Sequence, residues 1–151
     1  LQTRGFTESD FAKAHPGGVL GRRLLLKIDD LMHKGGAMPV VRPETRLSDA
    51  VAEMNRSSLG LTAVVNETGE VEGIFTDGDL RRVFERNDDV RKVQIKDVMT
   101  RNCRTIGRGA LAAEALHVMQ DHRINALLVL DDTSRLIGVL NMHDLLKARV
   151  L

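Results

Sequence analysis

Gly73-Ile-Phe-Thr-Asp-Gly-Asp-Leu80 is answered further along the chain by Gly138-Val-Leu-Asn-Met-His-Asp-Leu145, a step of 65 residues. Each stretch reads as a β-strand that turns into a helix, with Thr76 or Asn141 as the N-cap. Upstream, Thr62-Ala-Val-Val-Asn66 matches Leu127-Leu-Val-Leu-Asp131, and Asp49-Ala-Val-Ala-Glu-Met54 matches Glu114-Ala-Leu-His-Val-Met119, both again a step of 65. The first block, Asp30-Leu-Met-His33, recurs as Asp97-Val-Met-Thr100, a step of 67, so one early loop has changed length by two residues. Four matched blocks in one order identify an internal duplication.

Each copy can be read for structure. In the first, Ser48 is the expected N-cap of a helix whose Leu47, Val51 and Met54 fall on one stripe. Thr62–Asn66 and Val71–Phe75 form a hairpin around the turn Glu67-Thr-Gly-Glu70. Thr76 then caps a helix from Asp77 that carries Leu80, Val83 and Phe84 inward. The second copy repeats the plan with a helix at Leu111–Gln120, strands at Ala126–Leu130 and Leu136–Leu140, a turn at Asp131–Ser134 and a helix from Met142. Short strands at Pro39–Arg42 and Arg104–Ile106 complete a β-α-β-β-α order in each. The fold class is therefore α+β. One unit of about 55 residues is marginal alone, so two should pack face to face with pseudo-two-fold symmetry. The expected divisions are a helical arm at 1–29, repeats at 30–86 and 95–151, and a linker at 87–94.

Composition narrows the function. With 42% hydrophobic and 28% charged residues the chain reads as soluble and globular. A net charge of +1 creates no field that would recruit nucleic acid or an anionic membrane, and the absence of Trp and Tyr argues against base-stacking platforms. The lone Cys103 fits a reducing compartment and the apolar runs are of strand length, so a cytoplasmic location is expected. The missing initiator Met suggests a piece of something longer. The five histidines include no pair four residues apart and there is no Cys-x-x-Cys, so no metal site is expected. Met32, Met54, Met99 and Met119 recur at equivalent positions, which marks them as core.

The Asp-x-Met opening, the element order and the closing Gly-apolar-apolar-Thr-x-x-Asp motif resemble paired CBS repeats. That resemblance implies an adenosyl ligand in a cleft between the sheets, with Asp79 on ribose hydroxyls and Thr76 on phosphate. The residue chemistry agrees: a helix start favours phosphate, Gly73 permits close backbone approach, and Arg82 can reach a phosphate. In the second copy Asn141 and His143 replace Thr and Gly while Asp144 stays, so two equal sites are not expected. The simpler reading makes Thr76 and Asp79 only a cap and a complement to the helix dipole.

Residues 1–29 carry Gly5-Phe-Thr-Glu-Ser-Asp-Phe-Ala12 and His15-Pro-Gly-Gly-Val-Leu-Gly-Arg22, with Thr7–Asp10 opening a helix. This stretch is similar to the exit from the sugar isomerase domain of bacterial arabinose 5-phosphate isomerases. The resemblance implies a parent enzyme interconverting D-ribulose 5-phosphate and D-arabinose 5-phosphate, which feeds 3-deoxy-D-manno-octulosonate (Kdo) and lipopolysaccharide. His15 matches a histidine of that family's pattern and is a candidate proton-transfer group in an intact isomerase. These 151 residues lack the remaining isomerase machinery and are expected to have no catalysis of their own. The expected role is an allosteric sensor of AMP, ATP or CMP-Kdo, acting on its own isomerase domain in a homo-oligomer (a CBS dimer within a tetrameric parent). The alternative is a purely structural dimerisation module with a vestigial cleft.

Overall fold

The computed structural model describes residues 25–86 and 89–148. Most of the arm, with Thr7–Asp10 and His15, lies outside the described residues, as do positions 87–88 of the linker and 149–151. The first repeat contributes β1 (Val40–Val41), α1 (Leu47–Ser57), β2 (Leu61–Val65), β3 (Val71–Thr76) and α2 (Asp77–Glu85). After the four-residue helix α3 (Ile95–Val98), the second contributes β4 (Thr105–Gly107), α4 (Ala112–His122), β5 (Ala126–Leu130), β6 (Leu136–Asn141) and α5 (Met142–Lys147). Each sheet has three strands: β1 runs parallel to β2 and β3 antiparallel to it, and β4, β5 and β6 repeat that order. Even the register shifts coincide, at Val64/Val65 and at Val129/Leu130. The duplication read from the sequence is a duplication of structure.

The sheets meet face to face. Leu61, Ala63, Val65 and Ile74 of the first pack with Leu128 and Val139 of the second in one buried cluster. Burying such apolar side chains contributes on the order of 1.5–3 kcal/mol each, which neither half can gain alone. A separate core lies under the helices of each half, around Phe75 in the first and Leu140 in the second.

Sequence segments and packing units do not coincide. Ile28, in the 3-10 turn Ile28–Asp30 before the first Asp-x-Met, packs into the core of the second half, whereas Ile95 and Met99 pack into the first. Each Asp-x-Met segment thus crosses to the other sheet. Ile74 and Thr100 exchange backbone hydrogen bonds of 3.0 and 2.8 Å, and His33 and Val139 exchange bonds of 2.8 and 3.0 Å in the equivalent place. The crossing depends on two glycines. A Cβ on Gly73 would lie 2.6 Å from Thr100 O and 2.9 Å from Met99 Sδ, and one on Gly138 would collide with Met32 Sδ. Gly73 does serve a close approach, but what approaches is protein, not ligand.

Two local expectations are corrected. Ser48 is not the N-cap of α1: Arg46 is, with no side-chain cap. The chain entering α1 bridges to Gln94, and Leu47 N–H donates to Val93 O at 3.0 Å, so backbone from the following segment supplies the partner that a serine would have supplied. The entry to α4 is solved the same way, by Lys27 pairing with Leu111 and Ala112 N–H donating to Leu26 O at 2.6 Å. Phe84 does not point inward but is 58% exposed. The buried stripe of α2 runs through Asp79 and Val83, and Phe84 sits about 100° round from Val83.

Candidate ligand cleft

At the junction of β3 and α2, Thr76 and Asp79 close a reciprocal cap. Asp79 N–H donates to Thr76 Oγ1 at 3.3 Å, while Thr76 N–H and Oγ1–H donate to Asp79 Oδ2 at 3.0 and 3.1 Å. The other carboxylate oxygen, Oδ1, accepts from Thr100 Oγ1 at 2.9 Å and from Arg82 Nη2 at 2.5 Å. Asp79 is 4% exposed, so these partners carry the burial of its charge. The Arg82 side chain is 63% exposed, which holds that ion pair to about 0–1 kcal/mol.

The start of α5 repeats the cap with other side chains. Asp144 N–H donates to Asn141 Oδ1 at 2.9 Å, and Asn141 N–H donates to Asp144 Oδ2 at 2.8 Å. His33 takes the place that Thr100 has in the first copy, with Nε2 2.8 Å from Asp144 Oδ1. Asn141 therefore replaces Thr76 as a working cap.

Both helix starts open on one cleft of about 760 Å³, lined by Thr76, Asp79 and Arg82 of the first motif and by Asn141 and His143 of the second. That volume lies within the range of sites for nucleotide-sized ligands. Of the other expected site residues, Gly73 is turned toward Met99, and Asp144 lies behind Asn141, outside the lining. Of the first amides of α2, Asp77 N–H donates to Gly60 O and Asp79 N–H to Thr76 Oγ1, with Gly78 between them on the cleft wall. Leu59, Leu61, Ile74, Ile124 and Ala126 give the cleft an apolar side. A polar helix start beside an apolar wall suits a ligand with a phosphate at one end and a flat ring at the other.

Sequence reasoning did not assign Thr100, Arg104 or Arg123 to the cleft. Thr100 stood in a recognised repeat block, and the signal was that both copies place a hydrogen-bonding side chain directly after the methionine. Cys103 is half-buried against the inter-sheet cluster and borders the cleft, and burial pushes its thiol pKa up. Among the described residues no group of three or more His, Cys, Asp or Glu is placed to hold a metal ion, and no helix is long and apolar enough to cross a membrane.

The CBS domain model matches residues 28–86 and again 95–151. The chain belongs to the CBS domain family. All 151 residues align at 54% identity with the C-terminal part of the arabinose 5-phosphate isomerase KdsD of Pseudomonas aeruginosa, and at 50% with KdsD of Yersinia pestis. The chain spans 46% of the length of each of these relatives. Among solved structures, a conserved protein from Pyrococcus horikoshii superposes with a TM-score of 0.74 at 29% identity, covering 83% of this chain and 93% of that one. CBSX2 of Arabidopsis thaliana in complex with AMP gives 0.72 at 19% identity, covering 83% and 96%. The CBS domain pair of MJ0100 in complex with 5'-methylthioadenosine and S-adenosyl-L-methionine gives 0.72 at 21% identity, covering 80% and 97%. The last two likenesses establish the CBS pair fold, and that each of those proteins holds an adenosyl compound is a property of those proteins.

Proposed function

We propose that this CBS pair is the nucleotide-sensing module of an arabinose 5-phosphate isomerase, and that the cleft at Thr76, Asp79 and Arg82 is its ligand site. The observation that carries this reading is the shared cleft: a capped helix start, a buried carboxylate and an apolar wall converge on one volume of about 760 Å³. The adenosyl compounds held by CBSX2 and MJ0100 support a ligand of that class, and the identity to KdsD supports the attached isomerase. AMP and ATP are the proposed ligands. CMP-Kdo is a further one, because an end product makes a sensible feedback signal.

Phosphate settles at the start of α2, by Thr76 and Gly78, where the Gly78 amide and the helix dipole favour an anion. Ribose hydroxyls address Asp79. All four of its acceptor positions are filled by Thr76, Thr100 and Arg82. The diol therefore displaces Arg82, whose exposed guanidinium turns to the phosphate instead. Regulation requires that ligand favour one of two states of the isomerase, and the swapped Asp-x-Met segments connect the cleft to both sheets. The location of the parent is proposed to be the bacterial cytoplasm.

A thermal-shift screen with AMP, ATP, CMP and CMP-Kdo, beside an Asp79→Ala control, tests the proposal. Ligand at 100 times its Kd stabilises by about 2.7 kcal/mol, or several degrees in Tm. A shift that Asp79→Ala abolishes supports the sensor. No shift with any of the four removes it.

One observation favours a second reading, a module that only assembles subunits: Phe84 on α2 and Leu146 on α5 are 58% and 50% exposed. In that case a Phe84→Glu variant breaks the association seen by sedimentation while no nucleotide shifts Tm.

A further inference from the structure

The pseudo-symmetry that relates the two motifs does not extend to the walls that face them. At the end of α4 stand His122-Arg123, where the end of α1 has Ser57-Ser58. Arg104 stands directly before β4, where the residue directly before β1 in the first copy is Pro39. All three of these second-copy residues line the Thr76 cleft, together with Arg82 and His143. Three arginines therefore face two aspartates there, and one of the two, Asp79, is already bonded to Arg82.

Among the described residues, the side chains of Arg104, His122, Arg123 and His143 have no hydrogen bond or ion pair. Arg123 also sits in left-handed backbone, with φ 53 and ψ 46, at a helix end that favours glycine or asparagine. The positions related to these by the pseudo-symmetry carry Pro39, Ser57 and Ser58, none of them basic, and the aspartate of that half, Asp144, is held by His33. Unpaired guanidiniums gathered at one concave wall attract anions and pair well with phosphate or carboxylate oxygens.

We infer that each chain has a single anion-selective site, at the Thr76 cleft, and that its ligand carries two separated anionic groups. One is a phosphate at the start of α2; the other lies against Arg104 and Arg123. A nucleoside polyphosphate and a nucleotide-linked sugar acid share that chemistry, and a nucleoside or a monophosphate alone fills only part of it. This inference rests on the proposed nucleotide reading and adds the charge class of the ligand and one site per chain.

The test is a titration series on the 151-residue chain, by calorimetry at two salt concentrations and by amide NMR. The ligands are adenosine, AMP, ATP, CMP, CMP-Kdo and inorganic tripolyphosphate. The expected result is one site, with ATP or CMP-Kdo at least ten-fold tighter than AMP or CMP and weakened by salt. Tripolyphosphate alone shifts the Gly78 and Arg123 amides. An Arg104→Ala/Arg123→Ala variant loses the ten-fold advantage and still binds the monophosphate, whereas Lys96→Ala/Lys147→Ala, an equal loss of charge outside the cleft, changes neither. Monophosphate and polyanion binding equally, two equal sites, or a double variant indistinguishable from wild type overturns the inference and leaves the nucleotide reading standing. Tripolyphosphate binding at Arg123 with no nucleotide binding upholds the anion site and removes the nucleotide reading. Failure of every ligand overturns both.

Discussion

His33 Nε2 lies 2.8 Å from Asp144 Oδ1, in the place where the other half of the molecule sets Thr100 Oγ1 2.9 Å from Asp79 Oδ1. The two aspartates stand at equivalent positions of the duplicated motif, and each is gripped by the residue that follows an Asp-x-Met methionine. Since those segments cross to the opposite sheet, each grip also ties one half to the other. A histidine fills its half of the arrangement with a ring, whereas a threonine leaves room beside the carboxylate.

His33→Ala leaves Asp144 Oδ1 without its partner. Losing a hydrogen bond to a mostly buried carboxylate costs about 1–3 kcal/mol, so Tm falls by several degrees. Binding at the Thr76 cleft is unchanged. His33→Thr recovers part of the loss, and circular dichroism melts measure both.

Gly73→Ala drives a Cβ to within 2.6 Å of the Thr100 carbonyl oxygen, and backbone cannot swing aside. Overpacking of this kind costs about 1–3 kcal/mol. At Gly138 the obstacle is the Met32 side chain, which can move or be removed. A Gly138→Ala/Met32→Ala double variant is therefore less destabilised than the two single losses summed, while no such rescue of Gly73→Ala comes from Met99→Ala. Chemical denaturation of the wild type, the four single variants and the two double variants decides it.

Cys103 gives a probe inside the cleft. Burial raises its thiol pKa, so little thiolate exists at neutral pH. Iodoacetamide should label it more slowly than a free cysteine at pH 7.5, and bound nucleotide should slow it further because Cys103 lines the cleft. Equal labelling with and without saturating ligand places the ligand elsewhere.

Glu53 links stability to pH. The Arg56 guanidinium, with a smaller part from Val40 N–H, holds its carboxyl below the ordinary value of 4.5. A depressed pKa means that the unfolded chain binds the proton more readily. The stability contributed is full above 4.5 and is lost as pH falls through the folded value. Glu53→Gln should thus lower Tm at pH 7 and narrow the gap to wild type toward pH 3.

The repeat made most of this architecture legible. Short apolar runs bounded by turn residues located β2, β3, β5 and β6 to within a residue, because hairpins are local. Thr76 was legible as a cap for the same reason. Ser48 was not, because Val93 and Gln94, distant in sequence, supply what a capping side chain would have supplied. The cleft was half legible. Thr76 and Asp79 carry a motif, whereas Arg104 and Arg123 reach the cleft only through the packing of one half on the other. Gly73 was given a ligand as its neighbour when its neighbours are Thr100 and Met99, a contact that depends on the crossing of the Asp-x-Met segments.

The proposed sensor holds one nucleotide-sized ligand at the first motif. Calorimetric titration of AMP, ATP and CMP-Kdo into the wild-type chain, Asp79→Ala and Asp144→Ala tests it most directly, with a melt of each variant to show that it is folded. The predicted result is a single site per chain, lost in Asp79→Ala and retained in Asp144→Ala. Absence of binding in the wild type, or loss in Asp144→Ala with retention in Asp79→Ala, contradicts it.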